Sequence, residues 1–339
     1  MVTGIDISLT SSNGGEAYYV LVNDEVNSLV YNERSGLVEC VNLVNPEEDV
    51  PQTIAKVFKH PEREKWLAAI QKEYMNLISK GTWRIALLPK GRKLLGCRLV
   101  LKKKVDKNGN VSSHKGRCVI QGHTQKEGVD YDRLFQPVAA LNTLRNQCCF
   151  ALQRNQHLKS FDFEQAFVQA LPDRDIYIRW PPGIRPLRDL ESGQETCLKA
   201  EKALYGLKQS PRCWGMKLHH FLVSQGFSRS DTDSCLYLKT QKRTRPKDPT
   251  LRVFDEFDKD YIQIALVVYV DDLTSRVDLD CPEAKEVYDK FVATMFEKFV
   301  VEDRGILDAM LGYKIDYDRT QELLKMTQKS CLLAILDRT

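Results

Sequence analysis

Tyr269-Val270-Asp271-Asp272 sets two adjacent carboxylates at the end of an unbroken apolar run, Ile264-Ala265-Leu266-Val267-Val268. Such a run, bounded by polar residues, predicts a strand buried on both faces. Burying a carboxylate is costly unless a cation or a hydrogen-bond network compensates it, so two at the mouth of a core strand ask for a metal. Neighbouring strand residues point to opposite faces, and both acids can serve one site only where the strand breaks into a tight turn. The plain alternative is an Asp-Asp turn that closes a hairpin. A third carboxylate, Asp162, lies in Leu158-Lys159-Ser160-Phe161-Asp162-Phe163, which predicts a second strand, and Gln165-Ala166-Phe167-Val168 predicts the start of a helix. Three carboxylates gathered from two strands suit two-metal phosphoryl transfer: one ion activates an attacking hydroxyl, the other neutralises the leaving group. Hard, oxygen-liganded Mg²⁺ is the natural occupant, two ions in all, with Mn²⁺ able to substitute. No His/Cys spacing of the zinc type is present.

Several elements must position these acids. Trp66, Leu67, Ile70, Tyr74 and Leu77 form one apolar stripe and predict a helix from about Pro61. Helices are also predicted over 141–156, 213–225 and 282–299, the last with Pro282 in its first turn. Residues 239–260, polar and containing Pro246 and Pro249, read as a surface insert between two strands. Leu311-Gly312-Tyr313-Lys314-Ile315 reads as a strand. Between residues 84 and 126 stand twelve lysines and arginines against one acid, Asp106. Apolar segments there flank Asn108-Gly109, which predicts a basic β-hairpin. A cationic hairpin suits the phosphates of a nucleic acid, with Lys102, Lys103 and Lys104 as candidate contacts.

The global numbers bound the class. A chain of 339 residues buries a sizeable core, and 42% apolar and 28% charged residues with a net charge of +4 are ordinary globular values. Ten cysteines without a CxxC pair argue for free thiols in a reducing compartment. There is no signal-peptide core and no apolar run of membrane-spanning length. An intracellular protein, cytoplasmic or nuclear and not secreted, is expected.

The order Asp162, then Tyr205-Gly206-Leu207-Lys208-Gln209-Ser210-Pro211-Arg212-Cys213-Trp214, then Tyr269-Val270-Asp271-Asp272 resembles the reverse transcriptase of Ty1/copia-type LTR retrotransposons. Lys115-Gly116-Arg117, Phe135-Gln136-Pro137-Val138, Arg179-Trp180-Pro181-Pro182-Gly183 and Leu311-Gly312 stand in matching order, from about Trp66 to the C-terminus. The resemblance implies an α+β right-hand polymerase fold, its palm an antiparallel sheet packed on helices. Residues 1–55 would be a variable connector, 56–325 fingers and palm, and 326–339 the start of a truncated thumb. No ribonuclease H, protease or integrase motif is visible.

The resemblance also implies roles. Asp162, Asp271 and Asp272 would hold the metal ions, with the Phe163 carbonyl completing the shell. The primer 3′-hydroxyl would attack the α-phosphate of a deoxynucleoside triphosphate in line. Phe167 would exclude ribonucleotides, Lys115 and Arg117 would grip the triphosphate, and Tyr205 and Gly206 would lie along the nucleotide. Leu311 and Gly312 would form the primer grip. Implied partners are a primed RNA or DNA template, dNTPs and the rest of a polyprotein with integrase and ribonuclease H. In the family the compartment includes a virus-like particle. Thr274-Ser275-Arg276, polar where the family strand is apolar, and Gly122-His123, where an aromatic is common, depart from the pattern. The alternative is a catalytically inert folded fragment that at most binds nucleic acid.

Overall fold

The computed structural model describes residues 50–105, 111–186, 188–189, 191–244 and 256–328, together with the backbone of three earlier strands. These strands, β1 (Tyr18–Asn23), β2 (Val26–Asn32) and β3 (Leu37–Cys40), form an antiparallel sheet within the segment read as a connector. The chain divides into two units, one of residues 1–70 and 100–116, the other of 71–99 and 117–339.

In the first unit, α1 (Ile54–Lys59) is capped by Thr53, whose Oγ1 accepts the Lys56 N–H at 3.3 Å. Helix α2 (Arg63–Ser79) begins here and carries the expected stripe, with Trp66 fully buried. It leads through β4 (Trp83–Ala86) to β5 (Cys97–Val105) and β6 (Val111–Ile120), which pair as a two-stranded sheet where the basic hairpin was expected. The Asn108-Gly109 turn lies outside the described residues. Glu62 gathers two lysines and a histidine: Lys65 at 2.8 Å, Lys103 at 2.9 Å and His114 Nε2 at 3.2 Å. The hydrogen bonds from Lys65, Lys103 and His114 hold its carboxyl well below the usual carboxylate range.

The second unit is built on a six-stranded sheet. Helix α3 (Leu141–Gln153) precedes β7 (His157–Phe163), and in a small separate sheet β8 (Tyr177–Ile178) and β4 each pair with the central β9 (Cys197–Ala200). Helix α4 (Ser210–Ser224) follows, then β10 (Ser228–Arg229) and β11 (Leu236–Lys242). A short α5 (Glu256–Asp260) leads into β12 (Tyr261–Tyr269) and β13 (Asp272–Val277). Helix α6 (Pro282–Lys298) and β14 (Val301–Ile306) follow. The sheet order is β10-β11-β12-β13-β7-β14, every pair antiparallel.

Both faces of this sheet are covered, which explains the unbroken apolar run. On one face Ile264, Leu266 and Val268 of β12 and Phe161 and Phe163 of β7 pack with Trp214 and Leu218 of α4 and Phe291 and Met295 of α6. On the other, Val267 and Leu158 pack with Leu144, Cys148 and Ala151 of α3. That second face also carries β15 (Ala309–Met310), β16 (Tyr313–Asp318) and β17 (Leu323–Thr327), a three-stranded sheet that contributes Met310 and Ile315.

The polar segment of β13 is buried with partners. Thr274 donates to the Met310 sulfur, Ser275 shares a hydrogen bond with the Tyr288 hydroxyl at 2.6 Å, and Arg276 donates to Gln147, Gln156 and Gln263. The departure at 274–276 is thus an internal hydrogen-bond network within a central strand.

Three local expectations are corrected. Leu311-Gly312 is the two-residue turn between β15 and β16, with φ of 53° and 77°. The strand expected over 311–315 therefore starts only at Tyr313, because both turn residues are left-handed and lie outside regular strand geometry. The segment after Asp162 is only a four-residue 3₁₀ turn, Ala166–Gln169, preceded by a left-handed Gln165. The insert at 239–260 is shorter than expected, since β11 runs to Lys242 and α5 starts at Glu256; residues 245–255 lie outside the described residues. Its remaining described residues are the short connection that follows β11. The eight described cysteines are free thiols. Among the described residues no helix is long and apolar enough to cross a membrane.

Candidate active site

The β12–β13 hairpin is closed by Val270-Asp271, so Tyr269 pairs with Asp272 and the strand breaks where two adjacent acids require it. Val270 has φ of 56°. A β-branched residue pays about 1–3 kcal/mol for that conformation and keeps it only where surroundings over-determine it. They do: the Trp214 Nε1–H donates to the Val270 carbonyl at 2.6 Å, and the Phe163 N–H donates to the Asp271 carbonyl at 2.8 Å. The hairpin turn is therefore clamped by α4 and by the end of β7.

Asp162 and Asp272 are register partners across β7 and β13. Both stand on the face shared with Leu158 and Thr274, the face that also carries the β15–β16 turn. Burial pushes the Asp272 carboxyl up to about 6, with the charges of Asp271 and Asp162 adding to the rise and Arg304 opposing it. Arg304 of β14 places Nη2 3.0 Å from Asp162 Oδ1 and Nη1 3.4 Å from Asp272 Oδ1. Glu302, the register partner of Asp162 on the other side, lies 3.9 Å from Arg304 Nε.

Among the described residues no three His, Cys, Asp or Glu side chains converge closely enough to hold a metal ion as they stand. The donor set is nonetheless all carboxylate oxygen, which suits a hard divalent cation. The guanidinium already lying against Asp162 and Asp272 marks the place as one that draws positive charge.

An aromatic wall flanks the acids. Phe167 and Tyr205 have ring centroids 5.1 Å apart, and the Arg117 guanidinium stands 5.3 Å over the Tyr205 ring. Burial pushes the Tyr205 hydroxyl up to about 12, against the pull of Arg117, with Asp271 and Asp162 near enough to add to the rise. Phe163 turns its ring into the core, 5.0 Å from Trp214 and 5.4 Å from Phe299, and faces the acids only through its backbone.

The Tyr205–Trp214 segment is a fastening. The Ile120 N–H donates to the Tyr205 carbonyl at 2.8 Å. Gln209, fully buried, donates to the Asp130 carbonyl at 2.8 Å and accepts from Gln125 at 2.9 Å. Gly206 has φ of 89°, and a Cβ there would lie 2.1 Å from the Ile120 carbonyl oxygen. A Cβ on Gly122 would lie 2.0 Å from the Gly206 carbonyl oxygen, so glycine is required there.

Other sequence-derived candidates are placed separately. Lys115 and Arg117 are both exposed on β6. Lys102 and Lys104 are exposed on β5, whereas Lys103 turns inward to Glu62 with its side chain only 9% exposed. Its ammonium is thereby withdrawn from the solvent-facing row. Arg304 and Val270 were missed in the sequence. The one available signal was Asp303-Arg304-Gly305, an Asp two residues ahead of a Gly inside a strand pattern.

Residues 80–338 match the family model described as reverse transcriptase (RNA-dependent DNA polymerase). The chain belongs to that family. Its relatives include the Pol polyproteins of Ty1/copia-type transposons. It is 30% identical over 288 residues to the retrovirus-related Pol polyprotein from transposon TNT 1-94 of Nicotiana tabacum, covering 85% of this chain and 20% of that protein. It is 24% identical over 278 residues to the truncated transposon Ty1-A Gag-Pol polyprotein of Saccharomyces cerevisiae, covering 79% of this chain and 20% of that one. The chain thus spans about a fifth of these relatives. Among solved structures it resembles a foamy viral protease-reverse transcriptase in complex with double-stranded DNA, at 13% identity and a TM-score of 0.38, over 78% of this chain and 36% of that one.

Proposed function

We propose that this domain is an RNA-directed DNA polymerase that joins dNTPs to a primer 3′-hydroxyl on an RNA or DNA template. The observation that carries the reading is the pairing of Asp162 with Asp272 beside the clamped Asp271 turn, in a reverse transcriptase domain. In this reading the six-stranded sheet with α3, α4 and α6 is the palm, and the β5–β6 pair belongs to the fingers. The thumb expected over 326–339 falls, from 329 on, outside the described residues.

Asp162, Asp271 and Asp272 would hold two Mg²⁺ ions, with Mn²⁺ able to substitute and the Phe163 carbonyl available as a further oxygen. Bound metal would supply charge neutralisation on the triphosphate and a more acidic 3′-hydroxyl. The chain supplies the positioning. Arg117, held on the Tyr205 ring, offers cationic charge to the triphosphate. Phe167, propped by Tyr205, forms a wall against the sugar 2′ position. Gly206 keeps the backbone low beside the nucleotide, and the left-handed Leu311-Gly312 turn leaves a bare backbone for the primer end. Catalysis of this type is orientation and charge stabilisation, with little covalent chemistry for the protein.

The test is primer extension on poly(rA)·oligo(dT) with Mg²⁺, comparing the chain with its Asp271→Asn/Asp272→Asn variant. Incorporation by the wild type alone supports the polymerase. A second reading, an inert domain that only binds nucleic acid, is favoured by Arg304 lying across two of the acids. Equal silence from both chains, with template–primer binding retained, would select it.

A further inference from the structure

Arg304 is directed at the acids by its backbone. On β14, Glu302 pairs with Asp162 and Asp303 with Phe161, but the next paired residue is Gly305, opposite Ser160. Arg304 is the extra residue of a bulge, a device that re-aims a side chain beside a site. The bulge is pinned: the Gly305 N–H donates to Asp303 Oδ1 at 2.7 Å, Gly305 has φ of 81°, and Lys159 Nζ lies 3.3 Å from the same Asp303 oxygen. From there the guanidinium sends one nitrogen to Asp162 and another to Asp272, two carboxylates on two different strands. With its side chain 47% exposed, the arginine has room to swing into solvent.

We propose that Arg304 is a tethered cation that competes with divalent metal for the Asp162–Asp272 pair, so that metal loads only as the arginine leaves. This rests on the reading of the three aspartates as metal ligands. A divalent ion and a guanidinium cannot share the same Asp162 and Asp272 oxygens without repulsion. Bound nucleotide would help the exchange, since triphosphate oxygens offer the departing arginine an alternative anion. The device leaves the metal-free site partly neutralised and shifts the metal concentration at which the domain fills.

The test is equilibrium Mn²⁺ binding, read by electron paramagnetic resonance on the full chain without primer or nucleotide. Wild type, Arg304→Gln, Arg304→Lys and Asp272→Asn are compared, with melting temperature in chelator measured alongside. Arg304→Gln is expected to bind Mn²⁺ about fivefold tighter, the scale of a partly exposed ion pair. It should also melt lower in chelator and recover with Mn²⁺, and Arg304→Lys should fall between. Should Arg304→Gln fail to fold, the lysine variant alone carries the comparison, because its ammonium makes a weaker two-carboxylate contact. Equal or weaker Mn²⁺ binding by the arginine variants, with binding lost in Asp272→Asn, overturns the competition while leaving the metal reading intact. Binding absent from wild type and arginine variants, or undiminished in Asp272→Asn, overturns both.

Discussion

Asp162 and Asp272 stand directly opposite each other on neighbouring antiparallel strands, so two carboxylates leave the same face side by side. Like charges in that position work against strand pairing. The sheet keeps them because β7 and β13 are otherwise buried on both faces, through Phe161 and Leu273 on one side and Leu158 on the other. A local rule is broken where chemistry needs it and the surrounding core supports the break. Arg304 relieves part of the repulsion from a third strand.

That repulsion has a pH signature in the metal-free domain. The folded Asp272 carboxyl is raised to about 6, whereas an unfolded aspartate titrates near 3.9. The folded state therefore holds the extra proton between those values. Stability from this group is fully present below the lower value and is lost as pH rises through about 6. The amide introduced by Asp272→Asn does not titrate. Denaturant midpoints in chelator from pH 4 to 8 should show wild type losing stability relative to Asp272→Asn as pH rises. A flat difference would mean the carboxyl is not shifted.

Much of this site was legible because its residue types are extreme. A continuous apolar run at 264–268 has one simple home, a strand covered on both faces, and adjacent acids at its end demand a turn. What escaped depends on partners distant in sequence. Thr274, Ser275 and Arg276 read as a defect until Met310, Tyr288 and three glutamines are brought to them. Leu311-Gly312 hid its turn behind an apolar pattern, since a left-handed leucine has no sequence mark. Arg304 looks like any surface arginine; only the bulge gives it direction. Lys103 was readable: three consecutive strand lysines cannot all share one face.

The aromatic wall makes a selectivity prediction. Phe167 touches Tyr205 and is partly buried, so trimming it opens space beside the sugar and leaves the core beneath largely intact. Phe167→Val should lower the preference for dNTP over rNTP by about tenfold or more, read as the ratio of kcat/KM values in single-nucleotide extension. An unchanged ratio with reduced stability would return Phe167 to a packing role alone.

Gly206 tests the fastening of the Tyr205 segment. Alanine there meets the Ile120 carbonyl at 2.1 Å and also carries φ of 89°. Gly128 shares the left-handed strain, at φ 75°, but has nothing within 4 Å of an added Cβ. Gly128→Ala should cost about 1 kcal/mol in denaturant unfolding. Gly206→Ala should cost about 3 kcal/mol or more, because backbone must move as well. Equal costs would show that β6 is not tied to Tyr205 as closely as the hydrogen bond from Ile120 implies.

The three lysines of β5 should separate by face. Each phosphate contact contributes about 0.9 to the slope of log K against log salt on duplex nucleic acid. Lys102 and Lys104 are exposed, so Lys102→Gln/Lys104→Gln should flatten the slope for template–primer binding by up to about two, with the melting temperature little changed. Lys103 spends its charge on Glu62 at 2.9 Å. Lys103→Gln should leave the slope alone and cost about 1–3 kcal/mol of stability, because Glu62 loses one of its two lysine partners at a partly buried position. The contrast is decisive because the variants remove lysine charge from the two faces of one strand within three consecutive residues. If the double variant leaves the slope unmoved, β5 does not grip phosphate, and the excess of basic residues at 84–126 serves only solvation and the Glu62 cluster.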